Sequence, residues 1–456
     1  MPHPSVHVVI AGGGVAGLET VLALRDLAGR RVRMTLVTMA SQTIERPITV
    51  AEPFDRAIAP TRHLDAIAAD LGVELVHERL AAVRPHENVA VLSGGGELAY
   101  DRLVVATGAG AVAAVHGALT FHGAHDVDAL RGVRDELRSG AARSVAFALA
   151  SESVWPVPLY ELALMMGADL RGHGVTDAPI TIVTPEQAPL ALFGPRAAEA
   201  LAPLMADRGV RVHTGARPVA VESGRLVLAD GADVDADRVV ALPVPHGKPM
   251  SGLPTDRGGF IPVDRHGRVA GVDDVYAAGD AIAFPLKQGG LAAQQADAVA
   301  EAIAASAGAP IDPQPFSSVI RGMLLIGGAP LYLRAEVGTP GASGTAERIG
   351  GASVASGQAL WWPPSKVAAR YLGPYLATAR PSLTGAPTLV DRAEPAAAAL
   401  GHSHEQARDL ALLLADSEAR WGDFGAAVRA LEAAQALDGV LPPAYERKRE
   451  RWLAAR

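Results

Sequence analysis

Val6-His7-Val8-Val9-Ile10-Ala11-Gly12-Gly13-Gly14-Val15-Ala16-Gly17 is the stretch whose reading decides the fold. Its first six residues are a short, largely β-branched run of the kind that forms a buried parallel strand. The glycine turn follows at once, and Leu18-Glu19-Thr20-Val21-Leu22-Ala23-Leu24 then changes to helical spacing. Strand, glycine turn and helix in that order make the first βα unit of a dinucleotide-binding α/β fold. In this reading Gly12 permits the tight turn, Gly14 lets the backbone approach a pyrophosphate, and Gly17 lets helix and strand pack closely. Val15 and Ala16 open the helix, whose free N–H groups and positive dipole end face the phosphates.

Outward from this unit, the second strand, Arg33 to Thr38, ought to end in an acid for the ribose hydroxyls. It ends instead in Thr38-Met39-Ala40-Ser41. The acid is missing, so hydroxyls or backbone must serve the ribose. A third strand, Asp101 to Gly108, closes on Ala106-Thr107-Gly108, a turn tight enough to bring backbone against a cofactor. Far downstream, Val275-Tyr276-Ala277-Ala278-Gly279-Asp280 is an apolar strand ending in an acid, followed by Lys287-Gln288-Gly289-Gly290-Leu291-Ala292-Ala293-Gln294-Gln295-Ala296. One site assembled from two separated pieces points to FAD rather than NAD. A carboxylate at a strand's C-terminal end lies where open α/β sheets bind ligands. The helix starting near Gly289, with Gly290 and Leu291 in its first turn, would aim its positive end at the cofactor.

The 456 residues are 49% hydrophobic and 20% charged, with 48 glycines and 33 prolines, which suits an α/β protein of two or three domains. A net charge of -8 without any basic block argues against nucleic acid as a partner. The chain has no cysteine, which excludes disulfides, thiolate nucleophiles, zinc–thiolate sites and iron–sulfur clusters. The 14 histidines form no liganding cluster, His402 and His404 reading as solvated, so no metal site is expected. Met1 to Ser5 lacks the features of a signal peptide, and the longest apolar stretch, Leu103 to Phe121, is broken by glycines and His116. A cytoplasmic protein is expected, with peripheral membrane contact left open.

With these motifs in this order, the chain resembles the two-dinucleotide-binding-domain flavoproteins of the pyridine nucleotide-disulfide oxidoreductase superfamily, in the sulfide:quinone oxidoreductase and type II NADH dehydrogenase branch. The resemblance covers residues 5–310. It implies two nested Rossmann-like domains: an FAD-binding domain in two segments, 1–110 and 236–310, around an NAD(P)-domain-like insertion, 111–235. A C-terminal α+β region, 311–395, would face the flavin, and 396–456 would be a helical tail. The resemblance also implies that Asp280 bonds the ribityl hydroxyls. Glu45-Arg46-Pro47-Ile48 and Glu52-Pro53-Phe54 resemble the proline-containing loop beside the isoalloxazine. Arg46 is then either a flavin or substrate contact or a surface arginine.

The chain departs from the family in its nested domain. The second glycine fingerprint should follow the strand Ser144 to Ala150, but Ser151-Glu152-Ser153-Val154-Trp155-Pro156-Val157-Pro158 stands there, and no glycine occurs between Ala141 and Met166. A pyrophosphate cannot approach such a turn in the usual way, which puts conventional NAD(P)H binding in doubt. The family's cysteine route for sulfide oxidation is excluded, and so is a cysteine-linked flavin. Glu152 and Lys287 are the candidates for catalytic proton handling. For Glu152 the plainer reading is an exposed loop glutamate with no role.

In the third region, Arg321 to Ile326 and Leu331 to Arg334 read as a hairpin. Trp361-Trp362 leads into a helix containing Tyr371 and Tyr375, and would suit a flat aromatic acceptor, a lipid interface, core packing or a homodimer contact. The tail reads as a helix from Leu410 to Trp421, a turn at Gly422-Asp423-Phe424, a helix from Ala426 to Leu437 and a last helix ending in Trp452. That spacing resembles one tetratricopeptide-like unit, which must dock to cover its apolar face. The expected function is an FAD-dependent oxidoreductase passing two electrons from a small-molecule donor to an acceptor, a quinone being one candidate. The alternative is a flavin-binding scaffold or redox-responsive interaction protein without NAD(P)H turnover.

Overall fold

Five parallel strands form the first sheet of the computed structural model, in the order Val275–Ala277, Arg102–Val105, Val6–Ala11, Val32–Val37, Glu74–Val76. The structure describes residues 5–338, 353–361, 363–378, 408, 411, 412, 415, 416, 419, 424–438 and 440–454. Val8, Val9, Ile10, Leu103, Val104 and Val105 are fully buried, as strands covered on both faces require. The helices Val15–Leu27 and Gly289–Ser306 pack together beside this sheet. Small side chains bring them close: a Cβ on Gly279 would lie 2.9 Å from the Ala16 Cβ and 3.5 Å from that of Ala292.

The second sheet repeats the plan. Its parallel order is Leu119–Thr120, Arg238–Ala241, Val145–Ala148, Ile180–Val183, Val210–His213. Each domain also carries a three-stranded antiparallel meander: Leu80–Arg84, Val89–Leu92 and Glu97–Ala99 in the first, Pro218–Glu222, Arg225–Leu228 and Asp233–Asp235 in the second. The two chain crossings between the domains pair with each other, Gly110–Val112 antiparallel to Val244–His246. One expected boundary is corrected. Arg238–Ala241 sits between Leu119–Thr120 and Val145–Ala148, so the nested domain continues past 236 and the first domain resumes after the paired crossing.

A third sheet, Val319–Leu324, Leu331–Glu336 and Val354–Ser356, contains the expected hairpin. It is tied to the Gly289–Ser306 helix by Gln294, which donates to the Val319 carbonyl and accepts its N–H. The chain divides into compact units 1–360 and 361–456, so this sheet lies in the same unit as the nested domains; the boundary expected at 396 lies outside the described residues. In the second unit, Leu372–Thr378 is helical with Tyr371 just before it, and Phe424–Asp438 and Pro443–Ala454 are the last helices. Ala411, Leu412, Ala415, Ala427, Val428, Leu431, Leu441 and Trp452 share one apolar core there. Trp362, His402, His404, Leu410, Leu413, Leu414 and the turn at Trp421 to Asp423 lie outside the described residues. No described helix is long and apolar enough to cross a membrane.

Candidate functional site

Three turns meet at the C-terminal ends of three adjacent strands. A Cβ on Gly12 (φ +123°) would lie 2.1 Å from the Ala106 carbonyl oxygen, and one on Gly17 would lie 1.8 Å from the Gly12 oxygen. Both glycines are therefore demanded by backbone packing within the protein. Gly14 is different. Its backbone is extended and a Cβ there would meet nothing within 4 Å. The first helical bond to close is Leu18 N–H on the Gly14 oxygen, 3.0 Å, and no side chain caps the helix. The N–H groups of Val15, Ala16 and Gly17 thus end the helix beside open space, a ready anion cradle. Gly108 (φ +70°) also borders open space, and Thr107 is half-buried beside it.

Gly279 (φ +74°) donates its N–H to the Gln295 side chain, 2.9 Å, fixing the turn that carries Asp280. Asp280 is half-buried. Burial pushes its carboxyl above the ordinary range, while the charges of Lys287 and Arg46 pull it back, and no hydrogen-bond donor among the described residues contributes. Lys287 donates from Nζ to the Ile282 carbonyl, 2.5 Å, and stands 3.8 Å over the Phe260 ring. Burial pulls its ammonium down to about 8, opposed by Asp280 and Asp256. A sunken carboxylate without a donor, facing two cations, fits a hydroxyl-bearing ligand. Gly289 and Gly290 open the Gly289–Ser306 helix, whose Gln295 holds the Gly279 turn. The expectation for Leu291 is corrected: its N–H is taken by the Gln288 side chain, 2.8 Å, and the residue is fully buried.

Arg46 and Pro47 begin a 3-10 helix, Arg46–Phe54, rather than an open loop. The Arg46 guanidinium donates from Nη2 and Nε to the His122 carbonyl, 2.7 and 3.1 Å, while its charge still reaches Asp280. Glu152 is exposed and bears on Glu186, not on Asp280, so the structure removes it from this cluster. His122 was not singled out from the sequence, because its tie to Arg46 spans 76 positions.

At the matching place in the nested domain the turn is filled. Trp155 packs edge-on against Phe193 with ring centroids 5.6 Å apart, and Pro156 precedes the Val157–Gly172 helix. At the end of the next strand, Glu186 is buried; its Oε2 accepts from the Tyr160 hydroxyl, 2.8 Å, and the Thr184 hydroxyl, 3.0 Å. Burial pushes this carboxyl up to about 7, with the Glu152 charge adding to the rise. An acid after the second strand of a nucleotide-binding unit is where a ribose is held. The same rule that found Thr38 wanting would have found Glu186. Among the described residues no cluster suits a metal ion.

Residues 6–305 match the pyridine nucleotide-disulphide oxidoreductase family. The sulfide-quinone reductase of Aquifex aeolicus is 27% identical over 194 residues, 40% of this chain and 43% of that protein, so the chain spans less than half of this relative's length in the match. An NADH dehydrogenase-like protein of Mycobacterium tuberculosis is 27% identical over 301 residues, 61% of this chain and 73% of the relative. The crystal structure of the sulfide:quinone oxidoreductase from Aquifex aeolicus superposes with a TM-score of 0.67 at 20% identity, covering 77% of this chain and 87% of that one. That likeness is one of fold.

Proposed function

This chain belongs to the pyridine nucleotide-disulphide oxidoreductase family, and from that premise we propose that it is an FAD-dependent oxidoreductase passing electrons from a small-molecule donor to a small-molecule acceptor. The observation that carries the reading is the half-buried Asp280 carboxylate facing Lys287 and Arg46, at the same sheet edge as the open space over Gly14. The N–H groups of Val15 to Gly17 would hold a pyrophosphate. Asp280 would accept from ribityl hydroxyls, with Lys287 and Arg46 balancing its charge. The flavin, when bound, supplies the two-electron chemistry that no side chain of a cysteine-free protein supplies. A quinone is the acceptor class we favour, since a quinone appears in the names of the Aquifex relative and of an NAD(P)H dehydrogenase (quinone) of Mycobacterium tuberculosis.

The filled nested turn favours a second reading, a flavin-binding scaffold without turnover. Purified protein should show a flavin absorption spectrum. Anaerobic mixing with a panel of NADH, NADPH and hydroquinones should bleach it if the protein is an enzyme; flavin that none of them reduces supports the scaffold. Asp280→Ala should retain its fold yet bind FAD about 10- to 100-fold more weakly, as expected for losing charge-assisted hydrogen bonds. Flavin content equal to the parent's after dialysis would remove the central assignment.

A further inference from the structure

Next to Arg46 lies an imidazole–carboxylate pair that the coenzyme cradle does not use. The His122 N–H donates to Asp126 Oδ2 at 2.7 Å, and the His122 Nδ1 lies 3.2 Å from the same oxygen. An ionised carboxylate only accepts, so the ring proton sits on Nδ1 and Nε2 is left to accept or pass a proton. The His122 side chain is 38% exposed, so small molecules reach it. Its backbone is fixed on both sides: the Arg46 guanidinium grips its carbonyl, and Gly123 (φ +128°) lets the chain turn against Arg46 and the Thr49 hydroxyl. The imidazole faces Asp126 of its own turn, while the Arg46 guanidinium meets the backbone of His122 and its charge reaches Asp280.

We propose that His122, oriented by Asp126, is the proton-transfer group of this site; the proposal rests on the flavin reading above. The other charged groups of the cluster are poorly suited. The Arg46 guanidinium is spent on the His122 carbonyl, the Lys287 ammonium is bound to a backbone carbonyl, and Asp280 faces cations. Reducing a quinone to a hydroquinone takes a hydride equivalent and a proton. A bound flavin would supply the hydride equivalent; the imidazolium gives the proton from Nε2, an O–H bond forms on the quinone, and the ring becomes neutral. When a donor carrying two electrons and two protons is oxidised, the flavin would take up the hydride equivalent, and the remaining proton goes to Nε2 and charges the ring again. Protons and electrons balance over the cycle.

The test compares the parent with His122→Gln and Asp126→Asn. The Arg46 bond goes to backbone, so His122→Gln should keep fold and FAD content. Flavin reoxidation by a water-soluble benzoquinone should slow by about 100-fold in His122→Gln, in the range of lost general acid catalysis. Asp126→Asn should also slow it, because an amide oxygen still accepts from Nδ1 but no longer balances the charge of the imidazolium. As a readout apart from turnover, the midpoint potential of the bound flavin plotted against pH should show a break in the parent that His122→Gln lacks. Identical plots and rates in parent and variants, with flavin present in all, overturn this role alone. A parent protein without flavin fails the underlying reading instead.

Discussion

Gly12→Ala should unfold this protein more readily by about 4 kcal/mol, adding overpacking of a close backbone contact to the strain of a positive φ. The Cβ has nowhere to go. It would sit 2.1 Å from the Ala106 carbonyl oxygen and 2.6 Å from its carbon, both backbone atoms of a central strand's end, with φ at +123°. Gly14→Ala should separate fold from ligand. Its extended backbone accepts any residue and its Cβ meets no protein atom within 4 Å, so stability should stay within about 0.5 kcal/mol of the parent. Yet that methyl enters the space over the helix end, where a pyrophosphate would lie, and FAD content should fall sharply. Denaturant titration of the apoproteins, with flavin absorbance per chain as the second readout, checks both. Full flavin in Gly14→Ala would mean that the open space is not the phosphate cradle.

The contrast between those two glycines explains what could be read from residues alone. The run from Val6 to Gly17 announces its own geometry, because strand, turn and helix are local and each glycine's place follows from a short-range rule. The strand ending at Asp280 is legible for the same reason. Arg46 shows the opposite case. Whether it faced ligand or solvent depended on a carbonyl 76 positions away, which no periodicity reports. The end of the nested domain was misplaced by the same difficulty. Arg238–Ala241 reads as an ordinary apolar strand, and only its pairing with Val145–Ala148 and Leu119–Thr120 assigns it to the second sheet. Leu291 failed on a local detail, a Gln288 side chain that caps its own helix.

Glu186→Gln should flatten the pH dependence of stability. In the folded protein burial raises this carboxyl to about 7 from its ordinary 4.5. Between those values the folded state keeps a proton that the unfolded chain releases, so the stability it contributes is complete below pH 4.5 and is lost as pH rises through 7. The loss is about 3 kcal/mol across that interval. A glutamine cannot ionise, keeps an acceptor for the Tyr160 hydroxyl 2.8 Å away, and so should lose about 3 kcal/mol less than the parent between pH 5 and pH 8. Tyr160→Phe should act the other way. The tyrosine hydroxyl holds the carboxyl down, so its removal should raise the carboxyl further and carry the pH-dependent loss to higher pH. Denaturant midpoints measured at both pH values decide it, and parallel curves for parent and glutamine variant would show that Glu186 ionises freely in the folded protein. The same bond bears on function. A carboxylate already paired with Tyr160 and Thr184, with the Glu152 charge nearby, is poorly placed to receive a ribose from an anionic dinucleotide. If the glutamine variant flattens the curve, the acid of the nested domain holds its proton in the folded protein and serves its own core.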